Sequence, residues 1–174
     1  MKLNRVVYFS FFVLGLHLSF FQGLVEVIVT HFNKGTFYIG LFASLHFLGI
    51  IFSAVLTGYL GDKKGKRIVI TSSQFFAIAG TLIIFICNNI MLMTIGVFLS
   101  GYAFGALEGN LTSVLADTNS NQDKAINYSQ FFLGIGTIIA PLILLANVSN
   151  YWESVFFALC LLYIVSFIWF LKNS

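Results

Sequence analysis

The chain of 174 residues is 59% hydrophobic and 9% charged, with a mean hydropathy of +0.95. Soluble domains carry roughly 25% charged residues, so this composition excludes an ordinary water-soluble domain and makes lipid the outer solvent for much of the chain. The net charge of +3 raises nucleic acid as a partner, a reading that the placement of the charges removes.

A bilayer core about 30 Å thick needs roughly 20 mainly apolar helical residues. Helices and closed barrels are the two ways to satisfy backbone groups in hydrocarbon, and the apolar runs here are too long for barrel strands. The first run follows Met1-Lys2-Leu3-Asn4-Arg5 and continues to about Ile28, too long for a secretory h-region, so it is read as a retained helix. Spans are predicted over 6–30, 37–60, 68–87, 90–116, 128–146 and 151–171. Together they make one all-α, six-helix transmembrane bundle. Asn33-Lys34-Gly35, Asn88-Asn89 and Asn147 to Asn150 are expected as short hairpins, with longer breaks at Gly61 to Arg67 and Asp117 to Asn127.

In this scheme Lys2, Arg5, Lys63, Lys64, Lys66, Arg67, Lys124 and Lys172 lie on one side, and Lys34 alone on the other. The positive-inside rule makes the first side cytoplasmic and puts both termini there. The expected location is the cell membrane, crossed many times. The basic residues are ordinary flanks of spans, so no nucleic-acid partner is expected.

The break after the second span reads Gly58-Tyr59-Leu60-Gly61-Asp62-Lys63-Lys64-Gly65-Lys66-Arg67. It resembles the signature loop of the major facilitator superfamily at every constant position: Gly, three variable residues, Asp, a basic residue, one variable residue, Gly and two basic residues. Glycines let helix ends turn sharply or approach closely, and an aspartate can sit against the positive end of a neighbouring helix. The resemblance implies the amino-terminal six-helix half of such a transporter, with Gly58, Asp62, Gly65, Lys66, Arg67 and Asp117 acting as a gating latch.

Within that superfamily the chain is similar to the fucose–proton symporter family. The likeness rests on Glu26 late in the first helix, Glu108 in the fourth, and Asn127-Tyr128-Ser129-Gln130 followed by Gly134 in the fifth. It implies proton symport of a small polar solute, a sugar, with Glu108 and then Glu26 as coupling residues. Gln22, Asn110, Gln130 and His17 are the candidate substrate-binding residues.

Residue chemistry supplies an independent reason to single out the two acids. Glu26 and Glu108 are the acids read as buried within the predicted spans. A carboxylate in hydrocarbon is costly and normally faces a bundle interior or a wet cavity. A group that changes charge with its exposure is what proton coupling requires. The plainer alternative is a structural acid held by a donor, such as Gln22 one turn before Glu26. A straight helix puts Glu26 roughly 7–8 Å inside His31 and Glu108 roughly 13–14 Å from Asp117, so direct contact between the acids is not expected.

Gly101, Gly105 and Gly109 form a small-residue stripe on the fourth span, consistent either with a dimer seam or with internal packing. His17 and His46, near the middle of the first two spans, are read as substrate-binding, proton-relaying or simply bonded to a neighbouring helix; no metal site is built from them. Pro141 follows Gly134 and Gly136, but Ala140, Leu142 and Ile143 replace the glycines that the drug–proton antiporter motif needs, so that label is rejected. Cys87 and Cys160 match no metal spacing and are read as buried thiols. No nucleotide-binding loop, nucleophile triad or zinc pattern is present, so neither an enzyme nor a cofactor is expected.

A full transporter of this kind has two six-helix halves with the solute path between them. A single half offers one wall. The expected partner is therefore an identical copy in a parallel homodimer, or a separate second half. The alternatives are a truncated or split half and a non-transporting accessory subunit.

Overall fold

The computed structural model describes residues 2–146 and 151–173. Its six helices are α1 (Lys2–His31), α2 (Phe37–Lys64), α3 (Lys66–Ile86), α4 (Ile90–Thr118), α5 (Gln122–Leu145) and α6 (Trp152–Asn173). All six are long and apolar enough to cross a membrane. The expected hairpin at Asn147 to Asn150 lies outside the described residues.

Several helices run past the apolar windows that announced them. The break anticipated from Gly61 to Arg67 shrinks to Gly65, because α2 continues to Lys64 and α3 starts at Lys66. Gly65 takes φ +92, a conformation that side chains disfavour. Its N–H still closes on the Gly61 carbonyl at 3.0 Å. The break from Asp117 to Asn127 shrinks similarly, since α4 reaches Thr118 and α5 opens at Gln122. Hydropathy marks where lipid ends, whereas backbone hydrogen bonding can carry a helix on into water. Asn89 and Asn121 cap α4 and α5, their side chains accepting from the Met91 and Lys124 N–H groups at 2.8 and 3.0 Å.

α1 packs chiefly on α5 and α6, α4 packs on α2 and α3, and an α3–α6 contact joins the two sets. The most apolar windows of α1 and α4 are 61% and 56% buried in the bundle, against 22% and 17% for α2 and α5. α1 and α4 are therefore inner helices, and α2 and α5 turn most of their apolar surface outward. Glycine allows the closest crossings. A Cβ at Gly136 would lie 2.3 Å from the Phe12 carbonyl on α1, and one at Gly101 would lie 2.1 Å from the His46 carbonyl on α2.

The hydrophobic interior has two clusters stacked along the membrane direction. One, containing Leu24, Phe42, Ile84 and Phe156, sits towards the His31–Trp152 end. The other, containing Phe11, Ile70, Leu111 and Phe170, sits towards the end where Asn4 donates to Asn119 at 2.6 Å. That second end also holds the α2–α3 turn and the start of α5.

Candidate functional site

At the α2–α3 turn the signature residues meet the last turns of α4. Lys66, the first residue of α3, forms an ion pair with Asp117 on α4, and its ammonium also reaches the Ser113 carbonyl at 3.5 Å. The Lys66 and Asp117 side chains are 23% and 60% exposed, so water screens the pair. A cavity of about 290 Å³ opens between α2 and α4 beside this strap, lined in part by Thr57, Gly58, Asp62, Gly109 and Asn110. Gly58, Asp62, Lys66 and Asp117 thus share one corner of the bundle. Asp62 and Arg67 are exposed, and neither has an ion-pair partner among the described residues.

Asn110 is 5% exposed. Its amide donates to Thr57 Oγ1 at 3.0 Å and to the Ala106 carbonyl at 2.9 Å, so it ties α4 to α2. The residue just before it, Gly109, has open space where a Cβ would stand. The small-residue stripe is thereby divided. Gly101 and Gly105 pack internally against His46, Ile50 and Ser53 of α2, and Gly109 faces the cavity.

Glu108 is half-buried on α4, and its carboxylate has no hydrogen-bond or ion-pair partner among the described residues. Its backbone carbonyl accepts from Thr112 Oγ1 at 2.7 Å, a local contact that leaves the acid free. Glu26 and Gln22 are exposed one turn apart on α1, with no hydrogen bond between them. Gln130 is exposed on α5. These side chains lie on α1, α4 and α5, on surface that the bundle itself does not cover.

His17 has the opposite setting. It is fully buried, and its Nδ1 shares a 2.6 Å hydrogen bond with the Tyr163 hydroxyl of α6. His46 of α2 is 1% exposed and stacks on Phe21 at 4.3 Å between ring centroids. The two histidine rings lie 5.7 Å apart. Further along the same interior, Ser10 and Ser166 hydroxyls meet at 2.8 Å, and the Gln74 amide donates to Ser166 at 3.1 Å. Sequence reasoning missed Tyr163, Gln74 and Ser166. The available signal was a polar group inside an apolar span, which in lipid must find a partner within the protein.

The family model for the Major Facilitator Superfamily matches residues 7–174. Multidrug resistance protein MdtG of Escherichia coli O1:K1 / APEC is 27% identical over 158 residues, covering 85% of this chain and 39% of that protein. The MdtG of strain SMS-3-5 / SECEC matches to the same extent. The chain therefore spans about two fifths of the length of the relatives it matches. Among solved structures, a mutant peptide transporter POT in complex with alafosfalin superposes with a TM-score of 0.84 at 15% identity, covering 98% of this chain and 38% of that one. The same transporter in complex with sulfate gives 0.82 at 15% identity, over 98% and 37%. At that identity the likeness speaks to fold. With the family model spanning nearly all of the sequence, the chain belongs to the Major Facilitator Superfamily.

Proposed function

We propose that the chain is one six-helix wall of a proton-coupled transporter for a small polar solute. The observation that carries this reading is Glu108, a half-buried acid on an inner helix with no partner among the described residues. An unpaired intramembrane carboxyl is expensive unless it faces water or a second protein surface, and such groups mark ion and proton paths. Gln22, Gln130 and Glu26 add hydrogen-bonding groups on the uncovered surface, suited to a hydroxyl-rich solute such as a sugar. The short likenesses to fucose–proton symporters at Glu26, Glu108 and Asn127 to Gln130 point the same way.

In this proposal the signature corner is the latch, with Asp62, Lys66, Arg67 and Asp117 on the cytoplasmic side of a cell membrane and both ends of the bundle inside. The second wall is a parallel copy of the chain, or else a separate six-helix half. A parallel pair places Asp62 near Asn127 of the other copy. Crosslinking of D62C to N127C between subunits supports the self-paired form, and its absence from inserted protein under all conditions removes it.

Uptake into proteoliposomes under an inward proton gradient tests the coupling. E108Q is expected to lower gradient-driven uptake at least about tenfold. Unchanged uptake would take Glu108 out of that role. A second reading, export of amphipathic compounds, is favoured by the similarity to a multidrug resistance protein. The proline region argues against it, because Ala140, Leu142 and Ile143 leave the antiporter glycines unmatched. Measuring a lipophilic cation beside a sugar panel in the same vesicles separates the two readings.

A further inference from the structure

Helices α5 and α6 both pack on α1, yet among the described residues they do not meet each other. The gap leaves an open groove of about 410 Å³ along α1, at the end of the bundle that carries the signature loop. Its walls are aromatic. Tyr8 of α1 stacks on Phe132 of α5 with ring centroids 5.6 Å apart, and Phe9 of α1 leans on Trp169 of α6 at 5.6 Å. Phe12 and Ile135 carry the lining further into the membrane. Arg5 is its one charged residue; it is exposed and has no ion-pair partner among the described residues. From Arg5 to Phe12 the helix advances about 10–11 Å, from the membrane surface well into hydrocarbon.

The positive-inside pattern accounts for a cation at this end of α1. It does not account for an arginine at the mouth of an apolar slot. Arg5 also stands in the first turn of its helix, where the helix's own field is positive and favours an anion. Among the described residues no carboxylate lines the groove to answer it.

We propose that this groove binds a phospholipid with an anionic headgroup, its phosphate on the Arg5 guanidinium and one acyl chain between the two aromatic pairs. A guanidinium presents a fork of N–H donors that matches two phosphate oxygens. The slot below needs a filling that brings no unpaired polar group into hydrocarbon, and an acyl chain is such a filling. A zwitterionic headgroup would add an ammonium with no acid in the lining to receive it. The anionic class therefore fits better. The site lies apart from the signature corner and from Glu108.

Trp169 reports on the groove directly, since the other tryptophan, Trp152, is 3% exposed in the core cluster at the far end of the bundle. The test is tryptophan quenching in the whole chain carrying W152F, reconstituted in phosphatidylcholine vesicles. A minor fraction of the lipid is chain-brominated phosphatidylglycerol or, in parallel, chain-brominated phosphatidylcholine. The phosphatidylglycerol is expected to bind about fivefold more tightly, the factor that one basic residue near a membrane surface supplies. R5Q should remove that preference. K172Q, which deletes a charge one turn from Trp169 but outside the lining, should keep it. Equal quenching by the two lipids, a preference that survives R5Q, or one that vanishes in K172Q would overturn the proposal. A Trp169 reached by neither lipid would also overturn it, and would place protein such as a second copy over the groove. Should W152F not fold, the difference between the unsubstituted chain and W169F gives the Trp169 signal. Should R5Q not fold, competition decides: unlabelled phosphatidylglycerol should relieve the quenching where unlabelled phosphatidylcholine does not, and equal relief overturns the proposal. Because no arm measures transport, failure here leaves the Glu108 reading untouched, and the reverse also holds.

Discussion

Two groups of polar side chains share these six helices and have opposite surroundings. In the interior, His17, Tyr163, Ser10, Ser166 and Gln74 join helices α1, α3 and α6 through short hydrogen bonds. On the uncovered surface, Gln22, Glu26 and Gln130 are exposed, and Glu108 is half-buried without a partner. Lipid cannot hydrogen-bond either group. Apart from His17 Nε2 and Gln74 Oε1, the interior group has its partners within the bundle, so it serves the fold. The surface group lacks them, which is why it supports a reading in which a second wall and a wet path complete the molecule.

The largest effect separating these regions is expected at the glycines of α4. Gly101→Leu drives a side chain into the His46 carbonyl, where a Cβ already comes within 2.1 Å. Such overpacking costs about 1–3 kcal/mol and more when backbones must part. Loss of the folded peak in size-exclusion chromatography is expected, whereas Gly109→Leu, placed in open space, should retain it. Equal damage from both would erase the distinction between the packed and open parts of the stripe.

A smaller effect is expected at the interior hydrogen bonds. Tyr163→Phe removes the partner of a fully buried histidine nitrogen, a loss of about 1–3 kcal/mol. It should lower the thermal unfolding midpoint in detergent. Gln130→Ala, on the exposed side, should change stability by no more than about 0.5 kcal/mol and leave the midpoint nearly where it was. If the ranking reverses, the interior network is not what holds α1 to α6.

The smallest effect belongs to the Lys66–Asp117 pair. Both side chains reach solvent, so Lys66→Ala should cost about 0–1 kcal/mol, and the difference should fade as salt is raised. A large, salt-insensitive loss would mean that the strap is part of the closed core.

Legibility differed from residue to residue. The signature segment from Gly58 to Arg67 was readable because its chemistry is local: a turn, an acid and a run of bases. Its pairing of Lys66 with Asp117 was not, since 51 positions separate the partners. Asn110 is legible as a polar candidate inside a span, and helix geometry is what sets its amide on Thr57 in the α2–α4 seam. Gly101, Gly105 and Gly109 are alike in sequence, and only the path of α2 across α4 makes two of them packing contacts and leaves the third open.

By itself the sequence determined the solvent, the number of spans and the superfamily, because hydropathy and a contiguous loop motif need no knowledge of distant contacts. Tertiary structure decided which intramembrane polar groups are enclosed and which are left unpaired. The reason is geometric: a helix carries polar residues on any face, and the neighbours that cover a face come from far along the chain.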